Sequence, residues 1–124
     1  MKRLIQSFSN AFRGITIVFS TEKNMHIHLI VAALVVIFGW VLHLSTTEWL
    51  LCLLCFGLVI TAEMMNTAIE NTVDLSSPQK NKLAGKAKDI AAGAVLVSAI
   101  IAACIGLIIF IPKIWNCIQS LTTL

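Results

Sequence analysis

The chain has 124 residues, a formal net charge of +3, 58% hydrophobic residues and 12% charged ones, and its mean hydropathy is +0.92. A water-soluble domain of this size lacks the polar surface to cover so apolar a composition, and a nucleic-acid-binding patch needs a soluble basic face that is missing here. The sequence therefore predicts an all-α membrane protein, one domain over residues 1–124 with no separate soluble part.

Residues 3–20 predict an amphipathic helix on the membrane surface. Leu4, Phe8, Phe12, Ile15 and Phe19 recur at three- and four-residue steps, while Arg3, Gln6, Asn10 and Arg13 fall on the other side. Such a helix suits the interface or the flank of its own bundle. It has no continuous apolar core and no small-residue cleavage site, so it does not read as a secretory signal.

Thr21-Glu22-Lys23-Asn24 breaks this pattern, and a first span is expected over 27–44, with Trp40 as an anchor near its outer end. Ser45-Thr46-Thr47-Glu48 reads as a short turn, with Thr46 or Thr47 the expected cap of the next helix. A second span is expected over 49–74, ended by Ser76-Ser77-Pro78. A polar, Lys-rich loop follows. The third span is expected over 88–111, opening on the small residues Ala91, Ala92, Gly93 and Ala94 and closed by Pro112.

Four of the nine basic residues (Lys2, Arg3, Arg13, Lys23) precede the first span, and four more (Lys80, Lys82, Lys86, Lys88) lie between the second and third. The 43–48 turn has none and the C-terminal stretch only Lys113. Because cytoplasmic segments collect Lys and Arg, the N-terminus and the 74–89 loop are expected inside, and the C-terminus outside.

The second span changes character at Glu63. Glu63, Asn66, Glu70 and Asp74 stand at i, i+3, i+7 and i+11, which at about 100° per residue puts them on one helix face. Glu63 is roughly 21 Å along the helix from Trp49 at 1.5 Å per residue, so it lies deep in the inner half of the membrane. Such a stripe is either a polar helix–helix seam or a functional site. Two carboxylates without a facing Arg or Lys repel each other, and a divalent cation relieves that repulsion. Mg²⁺ usually takes one or two carboxylates and completes its shell with phosphate and water.

Glu22 at the inner edge of the first span, and Lys88-Asp89 at the start of the third, join the same inner-face region. Each has a bland alternative, as a solvated interfacial pair or a helix-terminal charge. Together with the Lys80–Lys86 segment they suit a metal–polyphosphate ligand.

No glycine-rich phosphate loop is present, since Gly85-Lys86 lacks the flanking pattern. Cys52 and Cys55 stand in an apolar run and read as packing residues. His26, His28 and His43 do not cluster with thiols and read as interfacial.

The run Glu63-Met64-Met65-Asn66-Thr67-Ala68-Ile69-Glu70-Asn71-Thr72-Val73-Asp74 resembles the signature of the prokaryotic diacylglycerol kinases, which include the undecaprenol kinases. Ala87 to Leu96 resembles the family's second block, and Thr21-Glu22-Lys23-Asn24 followed by His28 resembles its first. The resemblance implies a homotrimer in the bacterial inner membrane, each subunit with a surface helix and three membrane helices, and active sites shared between subunits. It implies MgATP-dependent phosphorylation of a lipid alcohol. By it, Glu63 is the carboxylate that accepts the lipid hydroxyl's proton and Asn66 an active-site amide. Glu22 and Glu70 are the metal ligands. Lys88 and Asp89 contact nucleotide, and Arg3 and Asn10 reach it from the surface helix. Gln79, Lys80 and Asn81 align with the nucleotide-facing loop, although their residue types depart from it. The segment from Glu22 to His28 looks more like undecaprenol kinases than diacylglycerol kinases. A small non-enzymatic transport or assembly subunit, with the acidic stripe as an ion or proton relay, is the alternative from another class.

Overall fold

The computed structural model describes residues 1–123, and these form four α-helices and no strand. They are α1 (Lys2–Thr21), α2 (Lys23–Val41), α3 (Thr46–Ser76) and α4 (Lys82–Thr122). The last three are long and apolar enough to cross a membrane.

α1 is the expected amphipathic helix. Only Val18 is buried, near its C-terminal end, and Leu4, Phe8 and Phe12 are exposed. It joins α2 through a single extended residue, Glu22. The expected four-residue break is thus one residue long, and α2 starts at Lys23 rather than 27.

α2 stops at Val41, earlier than the expected 44, because the chain turns sharply at His43, whose φ is 53°. The cap of α3 is Ser45, not Thr46 or Thr47. Its Oγ accepts from Glu48 N at 3.2 Å, and its own N–H donates to Glu48 Oε2 at 2.8 Å. This reciprocal box satisfies two otherwise unpaired backbone groups.

The Lys-rich loop is also shorter than expected. Asn81 Oδ1 accepts from Leu83 N and Ala84 N, so α4 begins at Lys82 and carries Lys86 and Lys88 on helix. Nor does Pro112 close α4, which runs ten residues further to Thr122. Proline deletes one backbone hydrogen bond, to the Ile108 carbonyl, and helices in membranes absorb such a loss where neighbouring bonds persist.

α3 is the central helix, packed along α4 and against α2. Near the turn between α2 and α3, Leu44, Cys52 and Ile109 form a buried cluster bordered by Val35, Trp49, Phe56 and Phe110. Cys52 and Cys55 are both buried and unbridged. Gly39 lets the Trp49 ring lie on α2: a Cβ there would stand 2.6 Å from Trp49 Cη2. Lys113 reaches Glu48 Oε2 at 3.1 Å and the His43 carbonyl at 3.5 Å, fastening α4 to the turn between α2 and α3. Large apolar side chains such as Leu53, Leu54 and Ile108 remain more than 60% exposed. A surface so rich in them belongs against lipid or another subunit rather than water.

Candidate active site

Helical periodicity places the acidic stripe of α3 as the spacing predicts. Glu63 is 1% exposed and Asn66 7% exposed, facing inward among the helices, while Glu70 is half-buried and Asp74 exposed. Asn66 Nδ2 donates to Glu70 Oε1 at 3.2 Å, which orients that carboxylate. Thr67 Oγ1 donates to the Glu63 carbonyl at 3.0 Å and so spends its donor on the backbone.

Two buried atoms are left over. Glu63 Oε2 and Asn66 Oδ1 have no hydrogen-bond partner. Buried polar atoms are normally satisfied, and leaving one without a partner costs about 1–3 kcal/mol, more for a charged group. Their neighbour is His28, whose Nε2 lies 3.9 Å from Glu63 Oε2. His28 is thus brought against the stripe rather than left on the outside of the helices. It stands about one and a half turns into α2 and turns inward onto the carboxylate. A titratable side chain inside an apolar span was the sequence signal for it. His26 does sit at the helix junction, its Nε2 2.7 Å from the Phe19 carbonyl.

His28 also lines an apolar slot of about 520 Å³ between α2, α3 and α4. Val31, Val35, Phe56, Val59 and Ile105 wall it.

A second, polar cavity of about 490 Å³ lies where α3 turns into α4, lined by Asp74, Gln79, Lys80, Asn81 and Lys88 among others. Lys88 Nζ pairs with Asp74 Oδ1 across it. Gln79, Lys80 and Asn81 are thus gathered with Lys88 as one surface, although the Asn81 side chain is occupied as the α4 cap. Asp74 is 11 residues from Glu63, about 16 Å along the helix, with Glu70 in between.

Other expected residues are not drawn in. Glu22 is half-buried at the junction of α1 and α2, where it accepts from Thr21 Oγ1 at 3.3 Å. Arg3 and Asp89 are exposed, and Asn10 accepts from Gln6 Nε2 at 3.1 Å on the exposed surface of α1. Among the described residues no side-chain hydrogen bond or ion pair joins these four to the stripe.

A magnesium ion that arrives with a polyphosphate needs only one or two protein carboxylates, and Glu70, half-buried and oriented by Asn66, is one that the stripe offers. Among the described residues no three His, Cys, Asp or Glu cluster to hold a metal by themselves.

A family model described as prokaryotic diacylglycerol kinase matches residues 9–110. The undecaprenol kinase of Bacillus subtilis (strain 168) is 45% identical over 114 residues, covering 92% of this chain and 93% of that protein. The diacylglycerol kinase of Synechocystis sp. is 38% identical over 112 residues, covering 90% of this chain and 64% of that protein. The diacylglycerol kinase of Escherichia coli (strain K12) is 27% identical over 100 residues, covering 81% and 82%. With a carboxylate stripe that starts at the buried Glu63 on the middle of three membrane-length helices and a match over most of its length, the chain belongs to the prokaryotic diacylglycerol kinase family and is a membrane lipid kinase.

Proposed function

We propose that the protein transfers the terminal phosphate of ATP, with Mg²⁺, to the primary hydroxyl of a membrane lipid alcohol at the cytoplasmic face, and that undecaprenol is preferred to diacylglycerol. The observation that carries this reading is Glu63, almost wholly buried with one carboxylate oxygen unpartnered. An acceptor hydroxyl gives that oxygen the donor it lacks. The preference for undecaprenol rests on the 45% identity to an undecaprenol kinase, against 38% and 27% to the two diacylglycerol kinases.

Glu63 accepts the hydroxyl proton as the oxygen–phosphorus bond forms and ADP departs. Asn66 holds Glu70 in place and offers its free carbonyl oxygen to the same space. Glu22 and Glu70 would hold Mg²⁺, which when bound offsets the charge on the phosphate oxygens. The nucleotide extends from the polar cavity towards Glu63. Lys80 and Lys88 neutralise its phosphates there, Gln79 and Asn81 flank it, and Asp89 lies beside Lys88.

The distribution of basic residues supports a cytoplasmic N-terminus and 74–89 segment, and an outer C-terminus. The exposed apolar flanks support assembly, and the family resemblance makes that a homotrimer in which the whole chain acts as one unit. Arg3 and Asn10, which join no polar group of their own stripe, then serve a neighbouring subunit's site.

Purified protein in mixed micelles, given radiolabelled ATP, Mg²⁺ and each lipid separately, tests the reading. Label should pass to undecaprenol faster than to diacylglycerol. No transfer to either lipid from an intact assembly returns the stripe to an ion-relay role.

A further inference from the structure

The gap between His28 Nε2 and Glu63 Oε2 is 3.9 Å. A direct hydrogen bond needs about 2.7–3.2 Å. The two atoms are instead close enough for one oxygen, set to the side, to bridge them once the carboxylate is uncovered. An oxygen about 2.8 Å from both atoms, an ordinary hydrogen-bond length, sees them about 90° apart. That is about 20° tighter than the tetrahedral angle between the O–H bond and a lone pair of an alcohol, within the bend that hydrogen bonds tolerate. Such an alcohol donates to Glu63 Oε2, the buried acceptor without a partner, and accepts from His28 Nε2–H. His28 also lines the apolar slot, whose other walls are hydrocarbon apart from the thiols of Cys52 and Cys55. One imidazole thus joins a polar point to an apolar channel, the two ends of a lipid alcohol.

We propose that His28 seats the acceptor hydroxyl against Glu63, with the first part of the lipid's tail in the slot between α2, α3 and α4. This rests on the kinase reading and gives it a substrate pose. During transfer the hydroxyl proton passes to Glu63, the oxygen bonds to phosphorus, and the bridging oxygen leaves with ADP. His28 keeps its proton throughout. Its role is to hold the oxygen lone pair and orient the nucleophile.

The test uses the full chain in mixed micelles, with assembly followed by light scattering and kcat and KM measured for ATP, undecaprenol and the short prenol geraniol. His28→Leu should lower kcat for both alcohols about 100-fold, the usual scale for losing one oriented hydrogen bond, and leave the ATP KM unchanged. His28→Gln, which keeps an N–H near the Nε2 position, should recover most of that loss. Gly106→Phe fills the slot's outer end, where a Cβ meets nothing within 4 Å. It should raise the KM for undecaprenol about tenfold, the scale of lost fit in an apolar pocket, and spare geraniol. Wild-type kcat in His28→Leu overturns the proposal, as does an equal loss in His28→Leu and His28→Gln. Gly106→Phe breaking the assembly with lipid KM unchanged assigns the slot to a second subunit and overturns the tail's placement. Failure of the wild-type protein to label any lipid is a separate result, and defeats the kinase reading itself.

Discussion

Lys88 Nζ is paired with Asp74 Oδ1, tying the first turns of α4 to the last turns of α3. Both side chains are more than a third exposed, so the pair adds at most about 1 kcal/mol to stability. Its position on the rim of the polar cavity matters more. Lys88→Met should leave the thermal midpoint within about 2 °C, since a surface pair costs so little to lose, while raising the ATP KM about tenfold, the scale of one charge-assisted phosphate contact. Asp74→Asn releases Lys88 and should leave that KM unchanged or lower. Steady-state ATP titrations of the two variants decide it, and equal KM increases would make the pair merely structural.

Glu63→Gln is isosteric and replaces a buried carboxyl group, one of whose oxygens has no hydrogen-bond partner. Turnover should fall at least about 1,000-fold, because both the proton acceptor and an oriented hydrogen bond are lost. Nucleotide binding by calorimetry should stay at the wild-type level, and the protein should be no less stable than wild type. Near-normal turnover would remove Glu63 from the chemistry.

Glu70 is oriented by Asn66 and is a proposed magnesium ligand. In Glu70→Gln the Mg²⁺ concentration giving half-maximal rate should rise at least about tenfold, since a neutral amide is a far poorer ligand for a hard cation. Asn66→Ala should show a smaller rise, as the carboxylate remains but loses its fixed direction. A magnesium dependence that neither variant changes would exclude Glu70 as a ligand.

Gly39→Val should destabilise the fold by about 1–3 kcal/mol, the common cost of overpacking. The new side chain collides with the Trp49 ring, which cannot leave without emptying the outer cluster. The effect should appear as a lower thermal midpoint in detergent, with the KM for ATP unchanged because the site is at the other end of the bundle.

Cys117 is exposed beyond the apolar part of α4, whereas Cys52 and Cys55 are buried. A membrane-impermeant maleimide applied to whole spheroplasts should label Cys117, and Cys117→Ser should abolish that labelling. Labelling only after the membrane is permeabilised would invert the proposed topology.

Local chemistry made much of this legible. A surface helix, three apolar spans and an acid stripe each follow from residues adjacent on one helix, where periodicity and desolvation act without help from the rest of the fold. The Ser45-x-x-Glu48 cap is equally local: Ser45 has a glutamate three residues on, whereas the neighbouring threonines have Trp49 and Leu50 there. Pro112 misled because the rule that proline ends a helix weakens where the bilayer penalises any unravelling that exposes backbone.

The sequence by itself determined which segments cross the membrane, which helix carries the carboxylates, and the family. Only the tertiary structure decided that His28 of α2 faces Glu63 of α3, that Lys88 engages Asp74, and that an apolar slot opens against His28. These are meetings between helices. They depend on the rotation and depth at which each helix packs against the next, and no periodicity within a single helix contains that information.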